Sequence, residues 1–165
     1  MTNKEKFQLV ENYIIEHQND YYRLAFSYVK NKENALDIIQ DSIFKALNSI
    51  DRLEEERYIK TWFYRIVVNT AIDFIRKHGR MQAMDDDILH TFLPEQHDLE
   101  KDYDLYEAID HLNEPYKTII VLRFFEDLKI DEIAEIQHEN SNTIKTRLYT
   151  ALRKLRINME EKVEL

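Results

Sequence analysis

The chain has 165 residues, 44% of them apolar, with one Gly, two Pro and no Cys. That length fits one domain or two small ones, and the apolar share excludes a disordered chain. So few residues suited to tight turns argue against a sheet protein and for an all-α fold of small helical domains. The missing Cys excludes thiol catalysis, disulfides and thiolate metal sites, and the lone Gly79 excludes Gly-rich phosphate loops. The formal net charge is −9, which alone argues against a nucleic-acid partner.

In chain order, the spacing predicts a helix, or two with a break, over 7–30, with Phe7, Val10, Ile14, Tyr21, Leu24, Ala25 and Tyr28 inward. A polar turn at 31–33 leads to a second helix in which Ala35, Ile38, Ile39, Ile43, Phe44 and Leu47 recur at helical spacing. Asp37, Gln40, Asp41 and Lys45 lie opposite them. A charged connection over 51–57 precedes a strong helix over 58–78, with Ile59, Trp62, Phe63, Ile66, Val67, Ile72 and Ile75 apolar and Gly79 placed just past its end. Residues 81–98 break the periodicity, contain Asp85-Asp86-Asp87 and Pro94, and read as an acidic linker between domains over 1–80 and 99–165. Helices are then expected over 99–112 and 116–125. Next comes the acidic amphipathic stretch at 131–136, and Asn140 is placed to cap a last helix over 141–158. A short helix, a turn and a second helix with a polar, basic face is the layout of a helix-turn-helix.

The charge is segregated. Residues 1–80 carry 13 Lys and Arg against 12 Asp and Glu, 81–115 carry 1 against 11, and 116–165 carry 9 against 9. Five basic residues and Asp73 alone fall in 60–80, and five basic residues with no acid fall in 140–159. Two local basic stripes are what contact with phosphates requires, whatever the total. On the first, Arg65, Asn69, Asp73, Arg76 and Lys77 share a polar helix face, and Asn is a residue type that hydrogen-bonds a base edge.

No catalytic constellation stands out, so the chain is not expected to be an enzyme or to hold a cofactor or metal. The six His show no H-E-x-x-H spacing, and Asp85–Asp87 with His90 reads as linker charge rather than a metal site. No apolar run reaches membrane-spanning length, and the first residues have no signal-peptide core. A soluble, cytoplasmic protein is expected, not itself a membrane protein.

Four stretches in this order, YYRLAFSYVKNKENALDIIQDSIFKAL, YIKTWFYRIVVNTAIDFIRK, LNEPYKTIIVLRFFEDLKIDEIAEI and NTIKTRLYTALRKLR, resemble the extracytoplasmic-function (group IV) sigma factors of the sigma-70 family over roughly 20–158. The resemblance implies a sigma-2-like and a sigma-4-like domain, binding to core RNA polymerase and promoter DNA, and a role in transcription initiation during a cell-envelope or extracellular stress response. It also implies control by a membrane-anchored anti-sigma factor. By the same resemblance Asp37, Gln40 and Asp41 match the family's D-x-x-Q-[DE] face toward core polymerase. The loop 50–58, with Leu53 near its middle, matches the loop that captures a flipped minus-ten base. Asn69, together with Lys60, Arg65, Asp73, Arg76 and Lys77, stands beside the melted strand. Asn142, Thr143, Lys145, Thr146, Arg147, Tyr149 and Arg153 match the reader of the minus-35 element, and the acidic linker resembles the segment that threads toward the polymerase cleft.

Departures from the family pattern concentrate in the hairpin turn. His138 replaces a Gly that commonly takes positive φ, Glu139 replaces an apolar residue, Lys129 replaces a helix-capping Ser or Thr, and Thr150 replaces an Arg. They bear on affinity at the minus-35 element more than on the fold. From the residues alone, a stand-alone helix-turn-helix regulator is the other reading. It would have no use for the polar face of Asp37, Gln40 and Asp41.

Overall fold

The computed structural model describes residues 1–78 and 99–163, with side chains over 1–78 and 104–160. The chain divides into two compact units, Met1–Asp85 and Asp86–Leu165. Among the described residues there are helices and turns and no strand. The expected linker, with Gly79, Asp85–Asp87 and His90, lies outside the described residues.

The first unit is three helices, α1 (Asn3–Val29), α2 (Lys32–Asn48) and α3 (Ile59–His78). α1 begins earlier than the apolar period indicates because Thr2 and Glu5 form a reciprocal capping box, Thr2 accepting from the Glu5 N–H at 3.1 Å and Glu5 from the Thr2 N–H at 3.2 Å. The expected break falls at His17, whose φ of −110° and ψ of 15° bend the helix. Beyond it Tyr21, Leu24, Ala25 and Tyr28 enter the core as predicted, whereas Phe7 stays 40% exposed. Tyr21 is the pivot of this core, edge-on to Phe63 with ring centroids at 4.7 Å and tilted against Tyr64 at the same distance.

α2 enters through Asn31, whose side chain accepts from the Asn34 N–H at 2.9 Å. It packs through small residues. Ala35, Ser42 and Ala46 are buried beside Ile38, in a helix that packs on both α1 and α3, and Thr70 and Ala71 of α3 are also small and buried. The two buried hydroxyls are satisfied within their own helices, Ser42 donating to the Ile38 carbonyl and Thr70 to that of Ile66, both at 2.7 Å. The predicted inward face of α2 is therefore corrected. Phe44 is 65% and Leu47 37% exposed, because close approach through Ala and Ser leaves the bulky residues outside.

The second unit holds α4 (Leu99–Asp110), α5 (Tyr116–Ile120) running into one π turn (Val121–Phe125), α6 (Ile130–Gln137) and α7 (Ser141–Val163). Its core is Ile109, Leu112, Ile119, Ile120, Leu122, Leu128, Ile133, Ile136, Ile144 and Ala151. A nearly buried ion pair, Lys117 to Asp110 at 3.3 Å, ties α5 to α4, and Tyr106 stacks on Phe125 at 5.2 Å. α7 runs five residues past the expected 158. No Gly or Pro stops it there, and Arg156 and Glu160 pair at i, i+4 and 3.0 Å.

Candidate functional site

Three surfaces of the two units carry the residues that the sequence singles out. On α2, Asp37, Gln40 and Asp41 are all exposed. The helix spacing adds Phe44 and Leu47, which periodicity places in the core: with Leu36 and Gln40 they follow at i, i+4, i+8 and i+11, so apolar and polar groups form one outward strip. Leu36 is 49% exposed, and with Phe44 and Leu47 it makes an apolar patch flanked by the carboxylates. A contiguous patch of this kind with a polar flank is how protein interfaces are built. The signal was in the sequence, since Ala35, Ser42 and Ala46 form a small-residue stripe that had to face a neighbouring helix.

Asp41 pairs with Lys45 at 3.3 Å, and Lys45 donates to Thr70 Oγ1 at 3.2 Å, which locks this edge of α2 to α3. Asp37 and Asp41 line the groove between these helices together with Asp73 and Lys77 of α3. Asp73 and Lys77 thus look toward α2 rather than away from it.

The outward stripe of α3 is Arg65, Asn69 and Arg76, at i, i+4 and i+11. Asn69 is exposed. Arg65 is partly buried, and desolvation lowers its pKa, although a guanidinium keeps its charge at neutral pH. Arg76 meets Asp73 at 3.9 Å. Lys60 is exposed but stands nine residues before Asn69, half a turn away around the helix, so it does not share the Asn69 stripe.

The preceding loop is two short 3-10 turns, Ile50–Arg52 and Glu56–Tyr58, around an extended Leu53. Leu53 is only 1% exposed and packs with Val10, Ile50 and Ile59, so it anchors the loop from beneath and offers no contact surface. The group that sequence reasoning missed is Arg57-Tyr58. Tyr58 is 39% exposed, the Arg57 guanidinium lies over its ring at 4.9 Å, and Arg57 also donates to its hydroxyl at 3.0 Å. A cation-backed exposed ring is a platform on which a base can stack.

In the second unit α6 ends in a Schellman motif: the Glu139 N–H reaches the Ala134 carbonyl at 3.0 Å and the His138 N–H that of Glu135 at 3.3 Å. His138 takes φ 53° and ψ 46°, the left-handed conformation for which Gly is suited. His138→Gly is accordingly expected to stabilise the full chain by roughly 1 kcal/mol in urea unfolding. The expected loss of the α6 cap is only half realised. The Lys129 ammonium has no acceptor, but the Lys129 N–H still donates to Glu132 at 3.0 Å.

Asn140 caps α7 as predicted, accepting from the Thr143 N–H at 2.8 Å, and Ser141 donates to Asp131 at 2.7 Å across the turn. Asn142, Lys145, Thr146, Tyr149 and Arg153 then recur at i, i+3, i+4, i+7 and i+11 and are all exposed, Tyr149 to 72%. Thr143 is half-buried at the edge of this face. Arg147 falls off it, pairing with Glu139 at 3.4 Å, so a salt bridge braces the turn. Lys154 turns back over the Tyr116 ring at 5.3 Å. Lys145 and Arg153 make no ion pair among the described residues, which leaves them as the charges on this exposed face. At the turn an open concavity lined by Asp131, Glu135, His138 and Glu139 gathers acid, which opposes a phosphate backbone.

Among the described residues no three His, Asp or Glu are placed to hold a metal ion, and no helix is long and apolar enough to cross a membrane.

The family description Sigma-70 region 2 matches residues 14–81, and Sigma-70, region 4 matches 103–155. RNA polymerase sigma factor SigV of Bacillus subtilis is 56% identical over 146 residues, which is 88% of this chain and 88% of that protein. The ECF RNA polymerase sigma-E factor of Haemophilus influenzae is 31% identical over 90% of this chain and 84% of its own length. Among solved structures, CnrH in complex with the cytosolic domain of CnrY is similar in fold at a TM-score of 0.72 and 17% identity, over 96% of this chain and 97% of that one. The sigma factor RpoE of Bartonella quintana, in complex with the anti-sigma factor NepR, is similar at 0.72 and 20% identity, over 91% and 96%.

Proposed function

Since this chain belongs to the extracytoplasmic-function family of RNA polymerase sigma factors, we propose that it directs core polymerase to promoters through three surfaces and has no catalytic activity of its own. The α2 strip of Leu36, Asp37, Gln40, Asp41, Phe44 and Leu47 binds core polymerase. Arg65, Asn69 and Arg76, with Arg57 and Tyr58 of the loop before them, hold the unpaired minus-ten strand. Asn142, Lys145, Thr146, Tyr149 and Arg153 read the minus-35 duplex in the major groove. The working domains are 1–80 and 99–165, joined by the acidic linker 81–98.

The α2 strip carries this reading. An exposed apolar patch beside Asp37, Gln40 and Asp41 has no use in a regulator that only binds DNA, whereas a subunit must present such a patch to its polymerase. Because the patch and the DNA faces are open, a second protein that covers them would keep the subunit idle. An anti-sigma factor is that partner, the kind of protein with which the RpoE neighbour is in complex. It would hold the protein in the cytoplasm, near the membrane when that partner is anchored there, until an envelope or extracellular stress releases it.

A run-off transcription assay tests the reading. Core polymerase plus this chain is expected to give transcripts of one defined start from a cognate promoter, and neither component alone should do so. A protein that alters transcription only when another sigma factor is supplied would be a stand-alone regulator instead.

A further inference from the structure

The bend at His17 divides α1 into two halves with different neighbours. The second half enters the three-helix core, but the first half, 3–16, has one fully buried residue, Val10, and its surroundings are unlike the rest of the unit. Val10 forms a small separate core with Ile50, Leu53 and Ile59, closed over by Leu9, Tyr13, Ile14 and Trp62. Ile50 opens the 50–58 loop, Leu53 is at its middle, and Ile59 follows its end, so these contacts grip the loop at three points. Without α1 above it, Leu53 would face water.

The loop has few other holds. Its backbone hydrogen bonds belong to two 3-10 turns, Arg52 N–H to Ser49 at 2.9 Å, Leu53 N–H to Ile50 at 3.1 Å and Tyr58 N–H to Glu55 at 3.1 Å, and its side-chain ties are exposed ones of Arg57, to Glu55 at 2.7 Å and to the Tyr58 hydroxyl at 3.0 Å. Residues 54–58 are all exposed. Segments with few buried contacts and isolated turns belong to the low-stability end of a structure. The first half of α1, by contrast, is tied to the main core. Tyr13 lies on the His17 ring with centroids at 4.4 Å, and its hydroxyl meets that of Tyr21, itself buried against Phe63, at 2.6 Å. Leu9, Val10 and Tyr13 precede residue 14, where the match to region 2 begins.

We infer that residues 3–16 are a positioning element for the 50–58 loop, and that Val10 and Tyr13 set how tightly the protein captures an unpaired minus-ten strand. They touch no DNA themselves; they fix the loop and its Arg57-Tyr58 platform before the strand arrives, which lowers the ordering cost of capture. This inference rests on the reading of the loop and α3 as the strand-binding surface.

The test uses the full chain assembled with core polymerase and a single-stranded minus-ten oligonucleotide. Val10→Ala, Val10→Ile, Tyr13→Phe and Asn69→Ala are compared by strand affinity, affinity for core, and hydrogen exchange of the loop amides. Val10→Ala is expected to speed exchange at Arg52, Leu53 and Tyr58 about tenfold and to weaken strand capture about tenfold, with core affinity unchanged. Val10→Ile should restore both, and Tyr13→Phe, which deletes one hydroxyl and keeps the fold, should weaken capture about threefold. Unchanged exchange in Val10→Ala, or faster exchange with unaltered strand affinity, would overturn the inference. Loss of capture in Asn69→Ala but in neither α1 variant would overturn it alone. Loss in none of the three would remove the strand-binding reading and the inference with it.

Discussion

Phe44→Asp is expected to weaken binding to core polymerase by about 100-fold and to abolish promoter-specific run-off transcripts, while leaving stability within about 0.5 kcal/mol of the parent chain. The asymmetry follows from where Phe44 stands. It is 65% exposed, so its removal takes almost nothing from the fold, and the Asp it becomes remains solvated in the free protein. In a complex the same position lies in the centre of the strip, between Gln40 and Leu47, where an aromatic anchor contributes most and a carboxylate must be desolvated without a partner. Asp37→Arg should behave differently. It reverses a charge at the flank, so its effect should be largely on the association rate and should shrink as salt is raised. Titration of labelled core polymerase at two ionic strengths separates the two. A Phe44→Asp protein that binds core with parental affinity would remove the α2 strip from the polymerase interface.

The α2 case also shows what was legible in the sequence and what was not. Periodicity identified the helix and the polar triad, because i, i+3 and i+4 recurrence needs no knowledge of neighbours. Periodicity by itself does not choose the inward arc, because large apolar residues stand on more than one side of the wheel, Ile38 on one and Leu36, Phe44 and Leu47 on another. Ranking by hydrophobicity puts Phe44 in the core, whereas the fold buries Ala35, Ser42 and Ala46 with Ile38, small residues that let neighbouring helices approach. Leu53 differs in the opposite sense. The family resemblance places it near the middle of the loop and says nothing of its burial, which comes from Ile50 and Ile59 beside it and from Val10 of α1, more than 35 residues earlier in the chain. Lys60 enters the set as one of the five basic residues in 60–80 and Arg147 through the family resemblance, and neither ground weighs position around a helix. Nine residues place Lys60 half a turn from Asn69, and five residues place Arg147 well around α7 from Asn142, beside Glu139. By contrast, the cap at Asn140 is legible because its residue type meets a local backbone requirement, and the left-handed turn at His138 is legible from the family pattern although His is not the residue that suits it.

The pairing of Arg147 leads to the second large effect. Binding of the protein to minus-35 duplex should fall about tenfold when Lys145 and Arg153 are both replaced by Ala, and the salt dependence should flatten at the same time. Each phosphate contact contributes roughly 0.9 to the slope of log affinity against log salt, so two fewer contacts make the loss across a fourfold rise in salt about tenfold smaller. Arg147→Ala is expected to leave that slope nearly unchanged, since its charge is already compensated by Glu139 at 3.4 Å. The informative change is then Glu139→Gln. It releases the Arg147 guanidinium, removes one carboxylate from the concavity at the turn, and should tighten binding while steepening the slope by about 1. A steeper slope without tighter binding would mean that Arg147 reaches a phosphate only by giving up its brace on the turn. An unchanged slope would mean that it reaches none. If Lys145→Ala with Arg153→Ala leaves the slope as it was, the exposed face of α7 is not the one that meets DNA.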